Sequence, residues 1–189
     1  TITLEDMSDY LPKAYVAIED ERFYKHHGVD FKRTTGAIIN TVLKGNSSYG
    51  GSTITQQLVK NITEDNDTKG LAGIARKIKE WAKAYQVENE LSKDQILELY
   101  LNLIFIGGKN QDNRGVEIAS EYYFNKSAKD LSIAQCAFLA GINHSPNRYN
   151  PYFGSDPTEK IAKRTKTVLS QMKKLEYINQ EEYDTAVAE

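Results

Sequence analysis

The chain has 189 residues, 40% of them apolar and 26% charged, which suits one globular domain with a sizeable core and excludes a disordered segment or a large multidomain machine. Its 24 Lys and Arg against 26 Asp and Glu give a net charge of −2, so the global balance predicts no nucleic-acid partner. One cysteine, Cys136, excludes an intrachain disulfide and a cysteine-rich zinc site.

No apolar run approaches the length of about eighteen residues that a membrane span needs. No basic and apolar leader pattern opens the chain either. Because it begins at Thr1 without Met, we expect a domain excised from a longer protein.

Four prolines occur, at positions 12, 146, 151 and 157, so the stretch from Lys13 to Ser145 lacks the strongest helix breaker and a mainly α fold is expected. The first helical pattern runs from about Ser8 to Arg22, and a second from Asp30 to Leu43 is closed by Gly45. After the polar loop Lys44 to Gly51, Ser52 has the position of an N-cap for a helix reaching about Ile62, and a charged turn covers Glu64 to Gly70.

Leu71, Ile74, Ile78, Trp81 and Tyr85 then repeat at spacings of three and four and make one apolar helical stripe. Ser92 with Gln95, and Ser132 with Gln135, read as capping boxes. The helix from Ile133 to Ala140 is apolar nearly all round and belongs at the centre of the core. Asp156 before Pro157 opens another helix with Ile161, Val168, Met172 and Leu175 inward, and Asn179 with Glu182 caps the last. The one strand candidate is Ile104 to Ile106.

Glu19, Asp20 and Glu21 follow directly on the apolar run Ala14 to Ile18. A carboxylate at that helix end, near other acids and partly buried, would have a raised pKa suited to a general base. The plainer reading is a solvated acidic helix end. Gly50 and Gly51 before Ser52 and Thr53 place free N–H groups at a helix start, where an anion can bind, with Lys60 one to two turns on; the plainer reading, and the commoner one for such a pattern alone, is a bare glycine-rich turn before a helix. The glycines are not followed by the Lys-Ser/Thr of a nucleotide-binding loop.

Arg76, Lys77, Lys79 and Lys83 set four cations against the single acid Glu80, a face that fits phosphate. Arg76 and Glu80 also suit an ordinary i,i+4 pair, although base before acid is the less favourable order. The adjacent His26 and His27 diverge, which argues against a two-His metal clamp, and Cys136 reads as packing.

In this order the segments resemble the peptidoglycan glycosyltransferases, the glycosyl-transferring domains of bifunctional penicillin-binding proteins and their monofunctional relatives. The matching motifs are Glu-Asp-x-x-Phe-x-x-His-x-Gly at Glu19 to Gly28 and Gly-Gly-Ser-Thr-Ile-Thr-Gln-Gln at Gly50 to Gln57, the latter continued through Lys60 and Asn61. Arg-Lys-x-x-Glu stands at Arg76 to Glu80, and Lys-x-x-Ile-Leu-Glu-x-Tyr-Leu-Asn at Lys93 to Asn102. Further similar segments are Ala119 to Lys126 and Leu139 to Pro151, so the likeness covers essentially the whole chain.

The resemblance implies a mainly α, lysozyme-like fold in which a head lobe carries a smaller membrane-facing jaw, roughly within 30–65, the whole of 1–189 forming one catalytic domain. It implies polymerisation of lipid II. The growing lipid-linked glycan is the donor, the 4-hydroxyl of acceptor lipid II attacks with inversion, and undecaprenyl pyrophosphate leaves.

Carried over by motif, Glu19 is the general base and Glu80 the second essential acid. Asp20, Phe23, His26, Ser52, Thr53, Gln56, Gln57, Lys60, Asn61, Arg76, Lys77 and Lys79 match substrate-binding positions, with His144 a further candidate. A divalent cation, magnesium or manganese, is a candidate near Glu80, with no organic cofactor. The implied partners are lipid II, the membrane surface and moenomycin-type inhibitors, at the extracytoplasmic face of a bacterial cell membrane.

Three positions depart from the family pattern: Gly36, where Arg is common before Ala37; Phe105 in place of Tyr; and Asn125 in place of Gly. The first puts a donor-site phosphate contact in doubt, unless Lys32 or Arg33 supplies it. A lysozyme-like muramidase or lytic transglycosylase is the competing enzyme reading, but a neutral glycan leaves the basic face without a role. A non-catalytic lipid-II-binding domain is the other alternative, and it fits an altered Glu19 or Glu80, neither of which is altered.

Overall fold

The computed structural model describes residues 1–34, 51–63, 70–105, 114–152 and 158–189, at 70–74 the backbone alone. Among the described residues it holds eight α-helices besides the helical residues 31–34, three 3-10 turns and only two isolated β-bridges, so the mainly α reading stands. The chain divides into two compact units: Thr1–Glu21 with Leu101–Glu189, and Arg22–Tyr100. No helix among the described residues is long and apolar enough to cross a membrane.

In the first unit, α1 (Tyr10–Glu19) buries Leu11, Ala14, Tyr15, Val16 and Ala17. It is shorter at both ends than the predicted Ser8 to Arg22, because Asp20 leaves helical geometry with φ −157° and ψ 71°. Helix α5 (Val116–Phe124) ends on Asn125, whose φ of 52° is left-handed. Asn is the residue that tolerates this conformation best after Gly, which accounts for its standing at that position.

Helix α6 (Ile133–Ile142) is the central element that its apolar sequence predicts, with Cys136, Ala137, Leu139, Ala140 and Ile142 all buried. It packs on α1 and on α7 (Thr158–Lys174), whose Ile161, Val168, Leu169 and Met172 point inward. Leu175 follows the last turn of α7 and is only half-buried, and the predicted helix start at Asp156 and Pro157 lies outside the described residues. The final helix α8 (Gln180–Ala188) has the predicted Asn179–Glu182 capping box and is held to α1 by the Tyr10 hydroxyl, which donates to Glu182 at 2.7 Å. Of the suggested strand at Ile104 to Ile106, only an isolated bridge between Phe105 and Arg114 is seen, and Ile106 lies outside the described residues.

The second unit holds α2 (Ile54–Thr63), α3 (Gly70–Glu90) and the start of α4 (Lys93–Leu103). The N-cap of α2 is Thr53, not the predicted Ser52: the Thr53 hydroxyl accepts from the Gln56 N–H at 3.1 Å while Gln56 Oε1 accepts from the Thr53 N–H at 2.9 Å. That reciprocal pair is a capping box shifted one residue from the expected start. Ser92 and Gln95 cap α4 as predicted, with bonds of 2.9 and 3.2 Å.

The apolar stripe on α3 is also corrected. Ile78 and Tyr85 are 59% and 58% exposed, while Glu80 and Ala84 are buried. On that buried face Ala84 lies against the Gly28 backbone and Glu80 accepts from the Gln56 side chain. Trp81 packs edge-on against Phe31 with ring centroids 5.9 Å apart, and the side chains of Leu71 and Ile74 lie outside the description. Most of the predicted second helix, Asp30 to Leu43, and of the loop after it lie there too; residues 31–34 are helical, and buried Asp30 caps them by accepting from the Arg33 N–H at 3.1 Å.

Candidate active site

Glu19 is the last residue of α1, half-buried, and accepts a hydrogen bond from Asn143 Nδ2 at 3.3 Å. Asp20 beside it is fully buried. Asn143 and the exposed His144 follow directly on α6, so the first unit brings Glu19 and Asn143 together. Asn143 was not singled out in the sequence, and the family-like run from Leu139 to Pro151 is the signal that contained it.

In the second unit, Glu80 is 6% exposed and both its oxygens are engaged. Arg76 Nη1 donates to Oε2 at 3.0 Å, while Gln56 Nε2 at 3.1 Å and the Lys77 ammonium donate to Oε1. Lys77 also donates to Ser52 Oγ at 3.0 Å. Five of the predicted site residues, Ser52, Gln56, Arg76, Lys77 and Glu80, therefore form one hydrogen-bonded cluster joining the start of α2 to α3.

Thr53 is fully buried and is committed to positioning: besides capping α2 it donates to the Gly28 carbonyl at 2.6 Å. Gly28 has φ +82°, and a Cβ there would lie 2.7 Å from the carbonyl carbon and oxygen of Ala84. Only glycine permits that backbone to approach α3 so closely. Phe23 is fully buried and His26 nearly so, and Gln57 Oε1 accepts from the Tyr100 hydroxyl at 3.0 Å.

Next to this cluster a pocket is lined by Val59, Lys60, Thr63, Arg76, Lys79, Glu80 and Lys83. Glu80 is committed to Arg76 and Lys77, and Lys60, Lys79 and Lys83 form no ion pair among the described residues. Like charges gathered without counter-charge raise the local potential and favour an anionic occupant. Sequence reasoning placed Lys83 on the basic face but not in the site, and it missed Thr63 and Val59; the i,i+4 step from Lys79 to Lys83 was the available signal. Asn61 is half-buried on α2 and does not line this pocket.

The donor set does not fit the divalent cation suggested for Glu80. Its oxygens already receive two cationic donors and an amide, and no group of three or more His, Cys, Asp or Glu side chains gathers among the described residues. A cation there would compete with Arg76 and Lys77 for one carboxylate.

The sequence profile of the family described as Transglycosylase matches residues 1–173. The chain belongs to the transglycosylase family. It is 45% identical over 192 residues to penicillin-binding protein 1A of Clostridium botulinum, covering 98% of this chain and 22% of that protein. It is 41% identical over 191 residues to the monofunctional glycosyltransferase of Staphylococcus saprophyticus, covering 97% and 67%. The crystal structure of penicillin-binding protein 1A from Haemophilus influenzae aligns with a TM-score of 0.45 and 30% identity over 72% of this chain and 16% of that one. This transglycosylase chain thus spans about a quarter of the length of the penicillin-binding proteins it matches, from 22% to 27%.

Proposed function

We propose that the chain is a peptidoglycan glycosyltransferase that polymerises lipid II, with the growing lipid-linked glycan as donor and the 4-hydroxyl of a second lipid II as acceptor. The observation that carries this reading is the pocket beside Glu80, where Lys60, Lys79 and Lys83 have no acidic partner among the described residues. Such a pocket suits a pyrophosphate. A neutral glycan offers nothing to those cations, which disfavours a muramidase.

In the proposed step the acceptor oxygen forms a bond to the anomeric carbon of the donor from the face opposite the leaving group. Glu19 takes the hydroxyl proton, so the attacking oxygen gains nucleophilicity as the bond forms. The bond between the anomeric carbon and the phosphate oxygen breaks, and its electron pair leaves on undecaprenyl pyrophosphate. Pyrophosphate is a good leaving group that needs charge stabilisation rather than a proton, and Lys60, Arg76 and Lys79 supply it. Glu80 orients Arg76 and Lys77 by accepting from both.

Asp20, Phe23, His26, Ser52, Thr53, Gln56, Gln57, Asn61 and His144 are assigned to substrate binding through the motifs they stand in, Thr53 acting through its hold on α2 and Gly28. By the same reading the domain works on the extracytoplasmic face of a bacterial cell membrane and binds moenomycin-type phosphoglycolipids.

Incubation of the purified chain with lipid II, followed by product analysis, tests the proposal. Glycan polymer with release of undecaprenyl pyrophosphate is expected, and Glu19→Gln should bind lipid II without extending it. Bound but unchanged lipid with the wild-type chain overturns the enzymatic reading, and wild-type turnover by Glu19→Gln overturns the assignment of the base.

A further inference from the structure

Lys93 opens α4, at the end of a helix where a positive charge is least favourable. Its side chain is largely buried, and its ammonium has three partners: the His26 carbonyl at 2.7 Å, the Glu88 carboxylate at 2.7 and 2.8 Å, and the face of the Phe23 ring, 4.4 Å from the centroid. The Glu88 side chain is 3% exposed and accepts a further hydrogen bond, at 2.5 Å, from the Thr55 hydroxyl in the first turn of α2. A buried carboxylate is tolerated only when its charge is answered and its lone pairs are filled. Thr55 and Lys93 do both.

We propose that Lys93 is a positioning residue, which through Glu88 and Thr55 locks the Phe23–His26 turn to the first turn of α2. The two segments it joins carry Phe23 and His26 on one side and Gln56 and Gln57 on the other, all assigned above to substrate binding. The tie runs parallel to the bond from Thr53 to Gly28, so the turn is anchored to α2 by two routes. Of these, the Lys93 route is charge-assisted at each of its three links, to the His26 carbonyl, between Lys93 and Glu88, and from Thr55 to Glu88, and carries a cation over an aromatic face, which makes it the stiffer. Lys93 touches no reacting atom in this reading, and its effect is to hold the turn in one geometry. The inference rests on the glycosyltransferase reading only for its catalytic consequence.

The test compares the wild-type chain with Lys93→Met, which keeps an unbranched stem over Phe23 and removes the ammonium. Three quantities are measured: amide hydrogen exchange of the 23–28 segment, kcat and KM on lipid II, and affinity for inorganic pyrophosphate. We expect exchange in 23–28 to rise about tenfold or more while α6 and α7 keep their protection. The kcat should fall about 30-fold, as a small misplacement of positioning groups does, with KM and pyrophosphate affinity changed less than about twofold.

Unchanged exchange in 23–28 overturns the proposal. So does an equal rise in every segment, which marks general destabilisation, or a loosened turn with wild-type kcat. Should Lys93→Met fail to fold, Glu88→Gln, which preserves shape and the Lys93–His26 bond, is read in the same way; a change of about threefold to tenfold is then expected, and none overturns the idea. A wild-type chain that makes no polymer counts against the glycosyltransferase reading, and the exchange measurement alone then decides for or against the hold of Lys93 on the turn.

Discussion

Arg76 Nη1 lies 3.0 Å from Glu80 Oε2, one turn further along α3. On an exposed helix this base-before-acid order contributes little. Here the carboxylate is buried and shared with Lys77 and Gln56, so the pair is part of a packed junction between α2 and α3. Glu80→Gln removes the negative charge that Arg76 and Lys77 share at this junction. Breaking a fully buried pair costs about 3–5 kcal/mol; with Arg76 17% and Lys77 32% exposed, we expect a loss of about 2–3 kcal/mol in urea unfolding. A loss under about 0.5 kcal/mol would show that the junction does not depend on this charge.

Inorganic pyrophosphate should bind the pocket beside Glu80 and raise the unfolding free energy, by about 2.7 kcal/mol when present at a hundred times its Kd. Lys83→Ala should weaken that binding about threefold to tenfold, because Lys83 lines the pocket and forms no ion pair among the described residues. Raising the salt from about 0.1 M to 1 M should weaken it further as the Debye length falls from about 10 to 3 Å. Calorimetric titration of the wild-type chain and the variant reads both effects, and equal affinities would remove Lys83 from the site.

The α class, the family and the central place of α6 were legible in the sequence, because proline spacing, motif order and an all-round apolar helix are local or whole-chain signals. The caps at Ser92, Ser132 and Asn179 were legible for the same reason. At the start of α2 the box Thr53-x-x-Gln56 was equally available, but Ser52 stands one residue earlier with the same chemistry, and only the hydrogen bonds decide the register. The α3 stripe misled because periodicity finds a face without saying what covers it; α3 turns Glu80 and Ala84 inward, while Ile78 and Tyr85 face out. Lys93 was quoted as part of a motif without a role, since nothing local links it to His26, 67 positions away.

Gly28→Ala should destabilise the second unit severely. The left-handed backbone at φ +82° costs an alanine about 1–2 kcal/mol by itself. The new Cβ also meets the Ala84 carbonyl at 2.7 Å, and helical backbone cannot yield as a side chain can. Together these give an expected loss of about 3 kcal/mol or more, read by denaturant unfolding. Compared with it, Thr53→Val, which removes the bond to the Gly28 carbonyl and the α2 cap, should cost about 1–2 kcal/mol. A fully stable Gly28→Ala chain would mean that the turn and α3 can separate without penalty.

Cys136 supplies a test of the first unit that depends on pH. Burial in α6 pushes its thiol from an ordinary 9.0 up to about 12, so the native state holds the neutral form while the unfolded chain ionises first. The sign follows from proton release: the contribution is fully present below pH 9 and is lost as the pH rises through the window from 9 toward 12. The stability difference between the wild-type chain and Cys136→Ala isolates this thiol from the tyrosines and lysines that also titrate in alkali. It should shift against the wild type by about 1 kcal/mol between pH 8 and 10, one unit of ionisation being worth about 1.4 kcal/mol. Iodoacetamide should also label the native thiol slowly at pH 8 and rapidly in denaturant, because the thiolate is the reactive form. A pH-independent difference, or fast native labelling, would mean that α6 is open to water at Cys136 rather than sealed by α1 and α7.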